Sequence, residues 1–500
     1  MKKIIAFVFL LNTFFGFSQI TNEGRIEFDL KTDERIDKVI PVGERGFVTL
    51  GLENVKGAND IFHISMYSTS LQKESSVDFE RESRITNHAT LLSNDSSQII
   101  FLFSNRKEWI LKIYDVNNQS LNERVFEKAD AGFQSLNYLL LGGKVVMNGF
   151  QKRKPTILIM DLMSGDQQFV LVPGISSKRT VESIGLDNLN EKVTVFMRDG
   201  KDMKTGTMHL LLLESNGEIS SSMELDKDPN FAIIDGAVTW INEGSFLIAG
   251  TYGTSGRRGY SAGYYFSKWT DEKQDFITYH SFTEFANYLS YLPQKTQKKM
   301  EKRMNRKKEK GATDIIQSYV AIHPVMIIGD SYRIIGEVYY PTYRTETYTS
   351  FVNGRAVTST RQVFDGYQYT HAAVLDLDES GQKIKDYCFS MYLSNKPFRV
   401  VRNLRITENQ TGDMRLMYST GSRLKATTIT TDQEMTETDF GEIITNHEGD
   451  NVRSTGFTNC SYWYEDSYLV YGVQTIKNKE DEKVSRKRTI FFINKITYSK

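Results

Sequence analysis

The chain is short of the residues that usually give a function away. It has two cysteines in 500 residues, Cys388 and Cys460, too few for a disulfide scaffold. They fall in repeats that do not adjoin, so two buried thiols and no bridge are expected. Eight prolines and no Pro/Gly/Ser-rich stretch leave no linker, which favours one large structure over several small domains. Charge of one sign is missing too: 62 basic residues stand against 62 acidic ones. A neutral chain has no global pull on nucleic acid, and any electrostatic partner must be met by a local patch. No apolar run beyond residue 15 approaches a membrane span. No zinc-protease, P-loop or dinucleotide fingerprint occurs. The seven histidines (His63, His88, His209, His280, His323, His371 and His447) show no ligand spacing with each other or with cysteine, so neither metal nor cofactor is expected.

What is present begins at the N-terminus. Lys2 and Lys3 precede an apolar run, Ile4–Phe15, and Gly16-Phe17-Ser18 puts small residues at −3 and −1 of a cut before Gln19. That is the layout of a secretory signal peptide over residues 1–18, and it predicts export to the periplasm or beyond. No Cys follows the apolar run, so no lipid anchor is expected there. Removing the leader leaves 60 basic against 62 acidic residues. The tail Phe491–Lys500 reads as one more strand, without a separate sorting domain.

Most of the remainder reads as strands of five to nine residues, rich in Val, Ile, Tyr, Phe and Thr, with polar turns between them. One pattern recurs: an aromatic or Val four residues before a Gly, at Phe47…Gly51, Val145…Gly149, Phe246…Gly250, Tyr332…Gly336 and Tyr468…Gly472. Gly51 to Gly149 is 98 residues and Gly149 to Gly250 is 101. Half of either is about the length of a four-stranded propeller blade. Degenerate copies at Ile99–Phe103, Val193–Met197 and Met414–Tyr418 bring the number to eight. The last repeat lacks a fourth strand, and a spare one, with Ile26, Phe28 and Leu30 alternating against polar residues, lies near the N-terminus.

This arrangement resembles the β-propellers, in which such a strand closes the ring and hides the sheet edges. The resemblance implies an all-β fold. It has blades near 35–80, 85–127, 133–172, 180–225, 231–281, 315–391, 398–442 and 452–499, with residues 24–31 closing the last. A seven-bladed ring and two stacked β-domains are the alternatives. No Trp-Asp or kelch motif narrows the resemblance to a functional family.

Two insertions interrupt the repeat. In residues 282–311, Ser281-x-x-Glu284 reads as a capping box, and Phe285, Tyr288, Leu289 and Leu292 recur at helical spacing. After Pro293, residues 295–310 hold nine Lys/Arg and two Glu, so the whole reads as a basic helical hairpin. The second insertion, 341–365, reads as a long β-hairpin turning at Asn353-Gly354. Both insertions, with the loop Tyr252–Tyr260, join strand two to three or strand four to the next blade, so they decorate one face, where binding tends to reside. The candidate binding residues are Arg257, Arg258 and Tyr260 in the loop, and Lys298, Lys299, Lys302, Arg303, Arg306 and Lys307 on the basic helix. A solvated charged face is the plain alternative for that helix.

Catalytic patterns are weak. Gly259-Tyr260-Ser261-Ala262-Gly263 fits Gly-x-Ser-x-Gly, but the Ser leads into a strand, whereas a nucleophile elbow leads into a helix. Asp376, Asp378 and Ser380 open like a calcium loop, but Tyr387 stands where a bidentate Glu is required. The reading is a binding or scaffolding propeller of the bacterial envelope, holding a protein partner or an acidic membrane surface, with no nucleic acid. The rival is a secreted hydrolase or lyase acting on glycan or peptide at the central channel mouth. It would need carboxylates, or a His with a carboxylate, converging there. A lectin would be expected to repeat its aromatic pocket in every blade, and no such repetition occurs.

Overall fold

The computed structural model describes residues 20–499 except 57–58, 82–84, 175–177, 188–189, 255–258, 312–315, 353–354 and 482–483. The expected signal peptide, Arg257, Arg258 and the expected Asn353-Gly354 turn therefore lie outside the described residues. Among those described, eight antiparallel sheets follow one another along the chain. They span 34–81, 86–127, 134–171, 179–224, 232–281, 319–390, 405–442 and 451–498; these are blades one to eight. Blade eight takes its fourth strand, Ile20–Asp29, from the other end of the chain, paired antiparallel with Lys487–Tyr498. In blades five and six the first strand is split into two short pieces.

Each sheet lies between two others, so its middle strands are apolar on both faces. In blade two, Ile99, Phe101 and Phe103 join the cluster shared with blade one, while Ile100 and Leu102 join the one shared with blade three. Outer strands alternate instead; Ser120–Glu127 is exposed at Ser120, Asn122, Glu123, Val125 and Glu127 and half-buried between them. Eight such clusters occupy the eight junctions, including Phe47 and Tyr67 of blade one against Trp463 and Phe491 of blade eight. A junction between the last blade and the first closes the ring. The fold is an eight-bladed β-propeller.

The recurring glycine has a steric cause. The first strand is irregular in several blades, with register shifts between Ile36 and Lys38, between Ser135 and Asn137 and between Thr455 and Phe457, and a break between Ile233 and Ala237. In three of these blades it brings a carbonyl against the second strand. A Cβ on Gly149, Gly250 or Gly472 would collide with the carbonyl oxygen of Gln134, Asp235 or Phe457, whereas at Gly51 the nearest atom is 3.6 Å away.

The seam of blade eight is fastened by charge. Arg25 is buried under the ring of Phe492 and donates to Glu27 (2.7 Å), Asn494 (3.0 Å), Gln474 (2.9 Å) and the Ile444 carbonyl (2.8 Å). Arg488 bridges Asp450 and Glu27. Hydrogen bonds from charged groups of this kind are the stronger class.

The expected first helix of the 282–311 insertion does not form. The chain makes a single 3-10 turn at Phe282–Glu284 and continues in turns to Pro293. Ser281 caps Thr283, not Glu284. The buried rings are Phe282, Phe285 and Tyr288, with Tyr291 stacked on His371. That spacing is three, which an α-helix cannot keep on one face. The carboxylate of Asp386 in blade six accepts from the backbone N–H groups of Ala286 and Asn287, fixing the segment as a strap across the blade five–six junction. Helix begins only at Gln294 and ends at Lys308. The β-hairpin is as expected: Ser331–Val352 and Arg355–Leu377 remain paired through Val352 and Arg355. Cys388 and Cys460, in blades six and eight, are free and buried. Among the described residues no helix is long and apolar enough to cross a membrane.

Candidate binding site on the upper face

Strand connections two-to-three and four-to-one emerge on the same side of every blade, here called the upper face. Over blades five to seven it carries the helix, the strap, the long hairpin and the loop 391–404.

The helix exposes its charge. Gln297, Met300, Met304 and Lys307 are half-buried, and Met304 packs against the blade five–six core. Lys298, Lys299, Lys302, Arg303 and Arg306 point outward and are exposed. No carboxylate lies within ion-pair distance of any of these cations among the described residues. By contrast Arg333 is locked bidentately to Asp376 at 2.5 and 2.6 Å inside blade six. Three basic residues in the last turn complement the helix C-terminus. The run Lys295, Lys298, Lys299 at the other end does not, so folding alone gives no reason for it.

Tyr260 is 38% exposed and stands at one end of a chain of rings. It meets Tyr319 with centroids 4.6 Å apart, Tyr319 meets Tyr339 at 5.6 Å, and Tyr339 meets Tyr367 at 5.2 Å. Phe364 follows at 5.0 Å, and it contacts both Tyr343 and Phe398 at 5.9 Å. The strip thus runs from the loop of blade five, across three strands of blade six and the hairpin base, to the loop entering blade seven. Its far end is open, with Tyr343 61% and Phe398 70% exposed. Burial raises the Tyr339 phenol well above its ordinary value, with Tyr369 and Tyr367 adding to the shift, so this ring stays neutral at any physiological pH.

Beside the strip, polar groups gather at the channel mouth. Glu337 is fully buried and accepts from His323 (2.9 Å), from the N–H groups of Asn403 (3.0 Å) and Leu404 (2.8 Å), and from the Asn403 amide. Asp235, on the bulge of blade five, accepts from the Thr251 N–H and hydroxyl, both at 2.7 Å. Burial raises its pKa against the pull of those bonds and of Arg402. Burial likewise lowers the pKa of Arg402, opposed by Glu337 and Asp235. A histidine, two carboxylates and an arginine therefore do converge. Glu337, however, spends both oxygens on His323 and on the start of blade seven, which it ties to blade six, while one oxygen of Asp235 holds Thr251.

The loop 391–404 is pinned by Tyr369, whose hydroxyl donates to the Val401 carbonyl at 2.6 Å, and by Lys396 paired with Asp365 at 2.9 Å. Behind it, between blades seven and eight, lies a pocket of about 260 Å³.

The remaining motifs are structural. Ser261 is buried, bridged to Ser318 and followed by the strand Gly263–Thr270, so there is no nucleophile elbow at this serine. Asp378 accepts from the N–H groups of Ser380 and Gln382 in a turn closed by Gly381 at φ +75°, and Asp376 is occupied by Arg333. No cluster of metal-ligating side chains occurs among the described residues.

Of the residues picked out from sequence, Tyr260 and the helix cations share the upper face, with Tyr260 at the strip and the cations on the helix. The strip itself, Arg402 and the two carboxylates were missed. A signal for the strip existed: eight of the 26 tyrosines fall between 319 and 369, about three times an even share.

No family model matches the chain, and no curated protein matches it in sequence. Solved structures do resemble it. A dihydro-heme d1 dehydrogenase, solved in complex with DHE, is 10% identical over 95% of this chain and 78% of its own, with a TM-score of 0.42. The β-propeller domain of the Trilobed protease from Pyrococcus furiosus is 10% identical over 84% of this chain and 97% of its own, with a TM-score of 0.36. Oligopeptidase B from Leishmania major is 6% identical over 90% of this chain and 54% of its own, with a TM-score of 0.39. The neighbours include enzymes and non-enzymes alike, and the likeness is one of fold.

Proposed function

We propose that this chain is an exported binding propeller of the bacterial cell envelope that docks through its upper face over blades five and six. The observation that carries the reading is the helix Gln294–Lys308, seated on the ring by Met304, with its outward cations unpaired among the described residues. Because the apolar side is used up against the blade, the helix suits contact with a surface better than insertion into it. An array of cations spread around an exposed helix matches an anionic bilayer, where each Lys or Arg contributes about 1 kcal/mol.

The test is co-sedimentation with vesicles of phosphatidylglycerol and phosphatidylcholine against phosphatidylcholine alone. Replacing Lys298, Lys299, Lys302, Arg303, Arg306 and Lys307 by Gln should cut binding to the anionic vesicles by at least 100-fold and leave the melting temperature unchanged. Equal binding by the two proteins refutes the reading. Excising all of 282–311 is the wrong variant, since Phe282, Phe285 and Tyr288 belong to the core.

The convergence of Asp235, Glu337, His323 and Arg402 favours a second reading, a hydrolase or lyase at the channel mouth. It requires Asp235→Asn to abolish turnover of a glycan or peptide substrate, and it is weakened by the saturation of Glu337.

A further inference from the structure

We infer that the tyrosine strip and the pocket behind the loop 391–404 form one binding site for an uncharged glycan chain. This rests on the upper face being a binding face, but on a different part of it from the helix.

Three observations carry the inference. First, the strip is continuous from Tyr260 through Tyr319, Tyr339, Tyr367 and Phe364 to Phe398, each ring within 6 Å of the next. It is built once, from five separate segments of chain. Its ends are exposed and the rings between them half-buried; exposed aromatic groups gathered in this way mark interaction sites, and tyrosine offers an apolar face with a polar tip, which suits a ligand whose C–H faces alternate with hydroxyls.

Second, the pocket that continues the strip has no ionisable side chain in its lining. Its polar groups are hydroxyls and amides, among them Ser394, Asn395, Ser419, Thr420, Thr458 and Asn459. A few such groups in a concave wall fix the orientation of a neutral polar ligand. Strip and pocket share the loop 391–404: Pro397 accepts from the Tyr367 N–H at 2.9 Å and lines the pocket, and Phe398 is the next residue.

Third, the charged groups at the hairpin base are already paired, Asp365 with Lys396 at 2.9 Å and Glu346 with Arg344 and Arg361. At the hairpin base an ionic ligand would find little free charge; the exposed Arg399 and Arg402 lie on the loop 391–404. The lack of a repeated aromatic pocket in the blades is no objection to a site assembled once.

The experiment is affinity electrophoresis of the full chain through native gels cast with laminarin, xylan, mannan, galactan or soluble starch. The wild type should be retarded by at least one of them. The double variant Tyr343→Ala/Phe398→Ala, at the most exposed end of the strip, should lose at least tenfold in affinity with its melting temperature unchanged. Tyr348→Ala, further out on the hairpin, should bind as the wild type does. Retardation by none of the five polysaccharides overturns the inference, as does retardation that the double variant leaves intact. Capture by an immobilised peptide array without retardation in any gel also overturns it and assigns the strip to polypeptide. Vesicle binding reports only on the helix cations, so either reading can fail without the other.

Discussion

The Arg25 guanidinium donates to the Gln474 side-chain oxygen at 2.9 Å across 449 residues of chain. This bond, with those to Asn494 and the Ile444 carbonyl, holds the closing strand in blade eight. Arg25→Ala takes the donor from these three acceptors and leaves Glu27 with Arg488 alone, a class of change that costs about 3–5 kcal/mol. Arg25→Lys restores the charge but not the fork and should recover less than half. Urea denaturation midpoints of the three proteins check this.

The glycines opposite the bulges separate into two kinds. Gly149→Ala, Gly250→Ala and Gly472→Ala drive a Cβ into a backbone carbonyl that cannot move without breaking the bulge, and each should cost about 1–3 kcal/mol. Gly51→Ala meets only ordinary contacts and should change stability by no more than about 0.5 kcal/mol. Thermal melts of the four variants test the contrast.

His371 gives the fold a pH dependence. Burial beneath Tyr288 and Tyr291 lowers its pKa from 6.5 to about 3. The folded state therefore prefers the neutral ring. Its contribution is complete above pH 6.5 and is lost as pH falls toward 3, amounting to at most about 5 kcal/mol. His371→Gln should flatten the wild-type decline in denaturation midpoint between pH 7 and pH 4. A parallel pair of curves would show that the ring is not the group responsible.

The thiols should be inert. Burial pushes Cys388 up to about 11 and Cys460 up to about 12, and the thiolate is the reactive form. The native protein is expected to take up no iodoacetamide at pH 8 over an hour, and the urea-unfolded protein two equivalents, as read by mass spectrometry.

The ring was legible because its logic is local. Middle strands such as Gln98–Ser104 are apolar on both faces, the turn signals recur between strands, and the glycine at the bulge marks the same register in most blades. The spare strand at Ile26, Phe28 and Leu30 was visible for the same reason. The strap was misread because Phe285, Tyr288, Leu289 and Leu292 fit helical spacing, while the group that holds the chain out of a helix, Asp386, lies about 100 residues on. The helix cations could be found because charge density is a property of a short window. The strip showed only as a density of tyrosines between 319 and 369; its course could not be read, because Tyr260, Tyr319, Tyr367 and Phe398 become neighbours only when three blades stand side by side.

The seam has a consequence for how the molecule comes together. Seven of the sheets are made from chain segments close in sequence, and each can form soon after its own residues are free. The eighth cannot, because Ile20–Asp29 must find Lys487–Tyr498. Closing a loop some ten times longer than a blade adds only about 2 kcal/mol of entropy, so the completed ring loses little by this design. The delay matters more. Until the seam shuts, the twelve-residue strand Lys487–Tyr498 presents a bare edge ready to pair with another chain. The vulnerable species is thus a nearly finished ring with its clasp undone, and slowing that final step should favour aggregation more than weakening any other blade.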